Sequence, residues 1–238
     1  VVEPYPSPEL AAFCAASKAR LNPAVADLSE PAVLVLAIKP QMLDAAASTI
    51  GALAGAQTLV VSILAGKSIA DLSARAPRAT SIVRAMPNTP AAIGRGITGV
   101  AGSAGVTAAH RAIVDTLLSA VGAVEWLSDE GLIDAVTAVS GSGPAYVFWL
   151  AECLAEAGRA AGLPAELAAR LARATVSGSG ELMHRSPETS PGQLRINVTS
   201  PGGTTEAALG VLMADDGLKP LMQRAVAAAL ARARALSG

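Results

Sequence analysis

Two short runs of aliphatic residues constrain this chain more than any other feature: Ala-Val-Leu-Val-Leu-Ala-Ile at 32–38 and Thr-Leu-Val-Val-Ser-Ile-Leu at 58–64. Neither alternates between apolar and polar. Both are too short for a buried helix of ordinary length. Such runs read as strands covered on both faces of a sheet. The signal recurs at 81–86, 96–101 and 121–127. Helical segments lie between and before these runs, at 8–19, 41–53, 69–76 and 107–120. Strand and helix in alternation predict an open α/β sheet, mostly parallel. Val1-Val2-Glu3-Pro4 reads as the end of a further strand.

From Ser128 onward the strand signal stops. Helices are expected at 129–140, 144–161, 164–183, 191–198, 204–214 and 220–236, four of them led by proline, with Gly162 as a stop. Gly178 and Gly180 fall inside the third of these, where each costs about 1 kcal/mol relative to alanine. Close approach of another helix would explain them. The expected organisation is therefore two domains: 1–127, α/β, and 128–238, all-helical.

Composition narrows the function. Hydrophobic residues make up 52% of the chain and charged residues only 16%, so extra apolar surface is expected to be buried between subunits. The net charge is −1 and the Lys and Arg residues are scattered, which argues against nucleic acid or an anionic membrane as partner. The uncharged stretch 45–66 is broken by Gly51, Gly55, Gln57 and Gly66, which leaves too little continuous apolar chain to span a bilayer. Cys14, Cys153, His110 and His184 are mutually isolated, so no metal is expected. A cytoplasmic protein fits this cysteine usage.

Three loops fall at expected strand C-termini: Ala37-Ile-Lys-Pro40, Ile63-Leu-Ala-Gly66 and Met86-Pro-Asn-Thr-Pro90. Open α/β sheets bind ligands outside the carboxyl ends of their strands. Ser140-Gly-Ser-Gly-Pro-Ala-Tyr146 opens a long helix, where Ser142 either caps it or contacts a ligand. Asn197-Val-Thr-Ser-Pro-Gly-Gly-Thr-Thr-Glu206 feeds a glycine turn into a helix N-terminus, with no Lys or Arg before Ala214. Unpaired helix amides can hold an anion there without a cationic side chain. Helix capping is the competing explanation. The chain has no Ser/His/Asp set, no Walker loop and no carboxylate pair placed for glycosidase chemistry. So few acid–base side chains suit a reaction whose chemistry a cofactor supplies.

Taken in order, Ala-Ile-Lys-Pro (37–40), Arg-Ala-Met-Pro-Asn-Thr-Pro (84–90), Ser-Gly-Ser-Gly-Pro-Ala-Tyr (140–146), Pro-Gly-Gln-Leu (191–194) and Val-Thr-Ser-Pro-Gly-Gly-Thr-Thr (198–205) resemble pyrroline-5-carboxylate reductases. The resemblance runs from about Ala32 to about Val211. It implies a Rossmann-like domain followed by an all-helical dimerisation domain. It also implies reduction of 1-pyrroline-5-carboxylate to L-proline by NADPH or NADH, and a homodimer assembled into rings of five.

Carried onto this sequence, the resemblance implies that Ala37, Ile38, Lys39, Pro40, Ile63, Leu64, Ala65, Met86 and Asn88 line the cofactor. Ser142 and Asn197 would touch it from the helical side. Ser200, Gly202, Gly203, Thr204 and Thr205 would hold the substrate carboxylate, with Thr205 also serving as the catalytic hydroxyl at the imine nitrogen. Glu130 would stand near the ring nitrogen, with Glu188 a further acidic candidate. The family's glycine-rich phosphate loop would precede the second strand, and this sequence is expected to begin at that strand, without the first βα unit. Glu3 would then occupy the position that grips a ribose hydroxyl, which favours NAD. Two alternatives stay open. One is a truncated, catalytically impaired subunit acting in assembly. The other is a Rossmann-plus-helical hydroxyacid dehydrogenase, against which stands the lack of any Lys in 129–181.

Overall fold

In the computed structural model, residues 1–237 are described. Two compact units divide the chain: Val1–Ile133 with the chain's end from Leu236, and Asp134–Ala235.

The first unit is built on a five-stranded sheet of order β1-β2-β3-β4-β5. The strands are β1 (Val33–Leu36), β2 (Leu59–Ser62), β3 (Ser81–Met86), β4 (Gly96–Gly102) and β5 (Gly122–Trp126). β1, β2 and β3 run parallel, with Val33 opposite Leu59 and Leu59 opposite Ser81. β4 runs antiparallel to β3, and β5 parallel to β4. The reversal follows from the rigid Pro87–Pro90 segment, closed by Gly94 at φ 68°.

Successive residues of the central strands face opposite cores. Val60 and Ile82 pack with Leu36, Leu43, Ile50, Leu64 and Leu72. Leu59, Val61 and Val83 pack with Val100 and Val114. This is why the runs show no alternation: both faces of β2 and β3 are dry. The helices of this unit are α1 (Pro8–Ala16), α2 (Ala47–Leu53), α3 (Ile69–Arg75) and α4 (Ala108–Ser119). The expected helix over 41–53 is split, because Pro40 opens a separate 3-10 turn over Pro40–Met42.

β1 departs from the expectation of full cover. It lies at the edge of the sheet, and Val35 is 51% exposed. A cavity of about 770 Å³ runs beside it, walled by Val1–Tyr5 and by Val33–Lys39. Val1-Val2-Glu3-Pro4 forms no strand. Asn22, itself at φ 48°, accepts from the Glu3 amide at 2.8 Å and donates to the Glu3 carbonyl at 2.8 Å. Glu3 accepts the Tyr5 amide at 2.9 Å.

α3 begins with a reciprocal cap. Ser68 Oγ accepts from the Asp71 amide, and Asp71 Oδ2 accepts from the Ser68 amide at 2.9 Å and from the Ser68 hydroxyl at 2.8 Å. The backbone bond from Ser68, then its hydroxyl bond, hold the Asp71 carboxyl below the ordinary aspartate value of 3.8. A depressed folded-state pKa stabilises the fold above the unfolded value and loses that contribution as pH falls through the folded one. Asp71→Asn is therefore expected to shrink the fall in stability between about pH 7 and about pH 3, relative to the parent chain. Denaturant midpoints at the two pH values check this. Equal falls in both proteins would refute it.

The second unit is helical: the end of α5 (Leu132–Val136), a π turn over Thr137–Gly141, α6 (Gly143–Ala160), α7 (Ala165–Arg185), α8 (Pro191–Asn197), α9 (Thr204–Leu212) and α10 (Leu218–Ser237). Ala168 of α7 approaches Gly158 of α6 so closely that a Cβ on Gly158 would lie 3.3 Å from the Ala168 Cβ. Gly178 and Gly180 have open space around them, so packing within this chain does not explain them. The same unit exposes Phe148, Trp149, Leu150, Val211, Leu212 and Met213. Apolar surface on this scale marks an interface with another molecule. Among the described residues, no helix is long and apolar enough to cross a membrane.

Candidate active site

Parallel pairing sets the carboxyl ends of β1, β2 and β3 side by side, with Leu36 opposite Ser62 and Ser62 opposite Arg84. The three expected ligand loops therefore leave one edge of the sheet together. Ala37, Lys39 and Ala65 are exposed there, and Ile38, Pro40, Ile63, Met86 and Asn88 are half-buried. Small side chains at adjacent strand ends leave room for a flat ligand against backbone. Leu64 differs from its neighbours: it is 2% exposed and its side chain belongs to the core. Only its backbone can face a ligand. Asn88 spends its Oδ1 on the Ile97 amide at 3.0 Å, which ties the Met86–Pro90 segment to β4.

Glu130 lies in this same unit. Its Oε1 accepts from the Ile69 amide at 2.7 Å and from Arg84 Nη1 at 3.2 Å. One oxygen of this carboxylate is thus already engaged by protein. Sequence motifs alone assign Arg84 no role. The signal was available: it is the one charge in an otherwise uncharged β3.

In the helical unit, α9 is capped by Gly203, whose backbone is extended. Gly202 before it sits at φ 70°, a conformation glycine adopts without strain. A Cβ on Gly203 would meet Ser200 Oγ at 2.6 Å and the Ser200 carbonyl at 3.0 Å. Both glycines are needed to bring the turn so close. The Gly203 amide donates to the Ser200 carbonyl at 3.0 Å, and the Gly202 amide donates to Glu206 Oε2 at 2.7 Å. Glu206 was missed from the sequence; its place in the first turn of the helix, four residues after Gly202, was the available clue. Among the described residues, no hydrogen bond occupies the Thr204 or Thr205 amides, and none engages the Thr205 hydroxyl. The competing explanation of Thr205 as a capping side chain is not met, because Gly203 holds the cap position with no side-chain bond.

Ser142 precedes α6 without a side-chain cap bond, and its amide closes the π turn on the Thr137 carbonyl at 2.8 Å. Asn197 ends α8 and accepts from Gln193 Nε2 at 2.8 Å. Glu188 is exposed in the turn before α8. Among the described residues, no cluster of three or more His, Cys, Asp or Glu could hold a metal.

A mostly parallel sheet whose β1, β2 and β3 loops leave one edge together, followed by an all-helical unit, is a Rossmann-like arrangement. Comparisons identify the family. Residues 130–236 match the pattern for pyrroline-5-carboxylate reductase dimerisation. The chain is 44% identical over 214 residues to the pyrroline-5-carboxylate reductase of Pseudomonas aeruginosa, covering 90% of this chain and 77% of that protein. It is 45% identical over 217 residues to that of Synechocystis, covering 90% and 78%. A pyrroline-5-carboxylate reductase from Coxiella burnetii superposes with a TM-score of 0.89 at 35% identity, over 98% of this chain and 86% of that one. Plasmodium falciparum pyrroline carboxylate reductase, solved with NADP bound, superposes with a TM-score of 0.76 at 28% identity, over 100% and 86%. This chain belongs to the pyrroline-5-carboxylate reductase family.

Proposed function

We propose that this chain reduces 1-pyrroline-5-carboxylate to L-proline with NADPH or NADH as reductant, the final step of proline biosynthesis. One observation carries the reading: identity of 44% with a reductase of that name over nine-tenths of the chain. Neither a hydroxyacid dehydrogenase nor an impaired assembly subunit gains support from any feature described above. Reduced nicotinamide, when bound, supplies hydride to the C=N carbon.

The protein's own contribution divides between its units. In the sheet unit, Ala37, Ile38, Lys39, Pro40, Ile63, Ala65, Met86 and Asn88 offer small or half-buried surface along one edge, with Leu64 contributing backbone, and they receive the dinucleotide. Ser142 and Asn197 contribute from the helical unit. The Thr204 and Thr205 amides, presented by Gly202, Gly203 and Ser200, receive the substrate's carboxylate, helped by the positive end of α9. Glu188 supplies a negative charge for the iminium form. An imine accepts hydride far better when its nitrogen is protonated. The Thr205 hydroxyl, with no partner among the described residues, donates a hydrogen bond or proton at that nitrogen.

On this reading 1–127 serves dinucleotide binding and 128–238 dimerisation and substrate binding, whereas the compact units divide at Ile133 and Asp134. The exposed apolar surface of the helical unit and the dimerisation match support a homodimer. Assembly of dimers into a ring of five, and a cytoplasmic location, complete the proposal. Oxidation of NADPH and NADH by the purified chain, followed at the nicotinamide absorbance with and without 1-pyrroline-5-carboxylate, tests the activity. Substrate-dependent oxidation with proline as product is expected; its absence with both cofactors would refute it.

A further inference from the structure

Arg84 and Glu130 are 46 residues apart in sequence yet meet in one bond. Arg84 has a side chain only 6% exposed, Glu130 one 30% exposed. A cation so deeply placed is stabilised by a nearby countercharge, which Glu130 supplies. The geometry gives the pair a second connection. The same Glu130 oxygen that meets Arg84 also accepts the amide of Ile69, the first residue of α3. That amide is one of the helix-terminal donors without an intrahelical partner. Arg84 sits in β3 two positions before Met86, and Ile69 follows directly on the Ile63–Ser68 loop leaving β2. A single carboxylate oxygen therefore joins the carboxyl end of β3 to the far end of the β2 loop.

We propose that Arg84 and Glu130 are a positioning pair that fixes the β2 and β3 loops for the dinucleotide, rather than groups that touch the imine. This rests on the function proposed above. Glu130 sets their separation from outside, through a charge that Arg84 holds in place. Its duty is thus toward cofactor affinity, whereas the resemblance alone placed it beside the substrate ring.

The test compares the parent chain with Glu130→Ala, Glu130→Gln and Arg84→Lys. Three quantities are read: amide exchange of the segment containing Ile69, NADPH and NADH dissociation constants by fluorescence titration, and the separate KM values for cofactor and substrate. Glu130→Ala is expected to speed exchange at Ile69 and to weaken cofactor binding about tenfold, with the substrate KM held within about twofold. Glu130→Gln keeps an acceptor for the Ile69 amide, and Arg84→Lys keeps the charge; both are expected to recover part of the loss. If Glu130→Ala does not fold, Glu130→Gln carries the comparison, with a smaller loss in the same direction expected, since it keeps the acceptor but not the charge. Unchanged exchange and unchanged cofactor affinity would overturn the proposal, as would a rise confined to the substrate KM. Should the parent itself bind neither cofactor, the functional reading fails separately. Faster exchange in such a chain would establish the clamp but remove its assigned purpose.

Discussion

Replacing Thr205 by alanine is expected to lower kcat/KM for 1-pyrroline-5-carboxylate by about 100-fold or more while leaving the fold intact. The magnitude is that of removing one well-placed hydrogen-bond donor or proton donor from a reacting centre. The reasoning starts from the backbone. Gly203 caps α9, so the hydroxyl of Thr205 is not needed to start the helix. Among the described residues it makes no other bond, and Thr205 is half-buried on the first turn. Its removal therefore leaves no broken internal contact, and thermal stability should change little. The Thr204 and Thr205 amides remain in the variant, so carboxylate binding should persist and the loss should fall mainly on kcat. Thr205→Ser restores the hydroxyl and is expected to recover most of the rate. Wild-type kinetics in the alanine variant would remove Thr205 from the reaction. A comparable loss of melting temperature would instead make it structural.

The second large effect is on folding. Leu64→Ala is expected to destabilise the sheet unit by about 2–5 kcal/mol, the usual span for emptying a buried leucine site. For a chain of this size that lowers the melting temperature by roughly 5–15 °C. Leu64 lies in the middle of a proposed cofactor loop, yet it packs with Leu36, Val60, Leu72 and Ile82. Its neighbours Ile63 and Ala65 are half-buried and exposed. Substitution at Ala65 should therefore alter cofactor affinity with stability nearly unchanged, whereas Leu64→Ala should do the reverse until the unit begins to open. Calorimetry beside cofactor titration separates the two. An unchanged melting temperature for Leu64→Ala would mean that the side chain is not core.

Much of this was legible in the sequence because it is local. The aliphatic run at 58–64 predicts β2 within two residues, since burial on both faces favours apolar residues at successive positions, and 81–86 matches β3 although it carries the buried Ser81 and Arg84. The glycine pair before Thr204 likewise predicts the α9 turn, because few other residues adopt φ 70°. Other features depend on distant chain. Nothing in Val33–Leu36 distinguishes an edge strand from a central one, so the exposure of Val35 could not be foreseen. The expected helix over 129–140 became α5 and a π turn over Thr137–Gly141, a widening of the hydrogen-bond ladder that the apolar spacing does not reveal. Likewise, Arg84 and Glu130 pair across 46 residues, which no spacing rule reaches.

The bond from the Gly202 amide to Glu206 has a consequence for selectivity. It settles the shape of the turn before any acid arrives, so little ordering entropy is lost when one binds. It also sets the Glu206 carboxyl group beside the turn. On the reading proposed above, a small acid held at the two open amides would meet that neighbour's charge as well as the helix end's attraction. Glu206 would thus both preshape the loop and set the charge that the loop accepts.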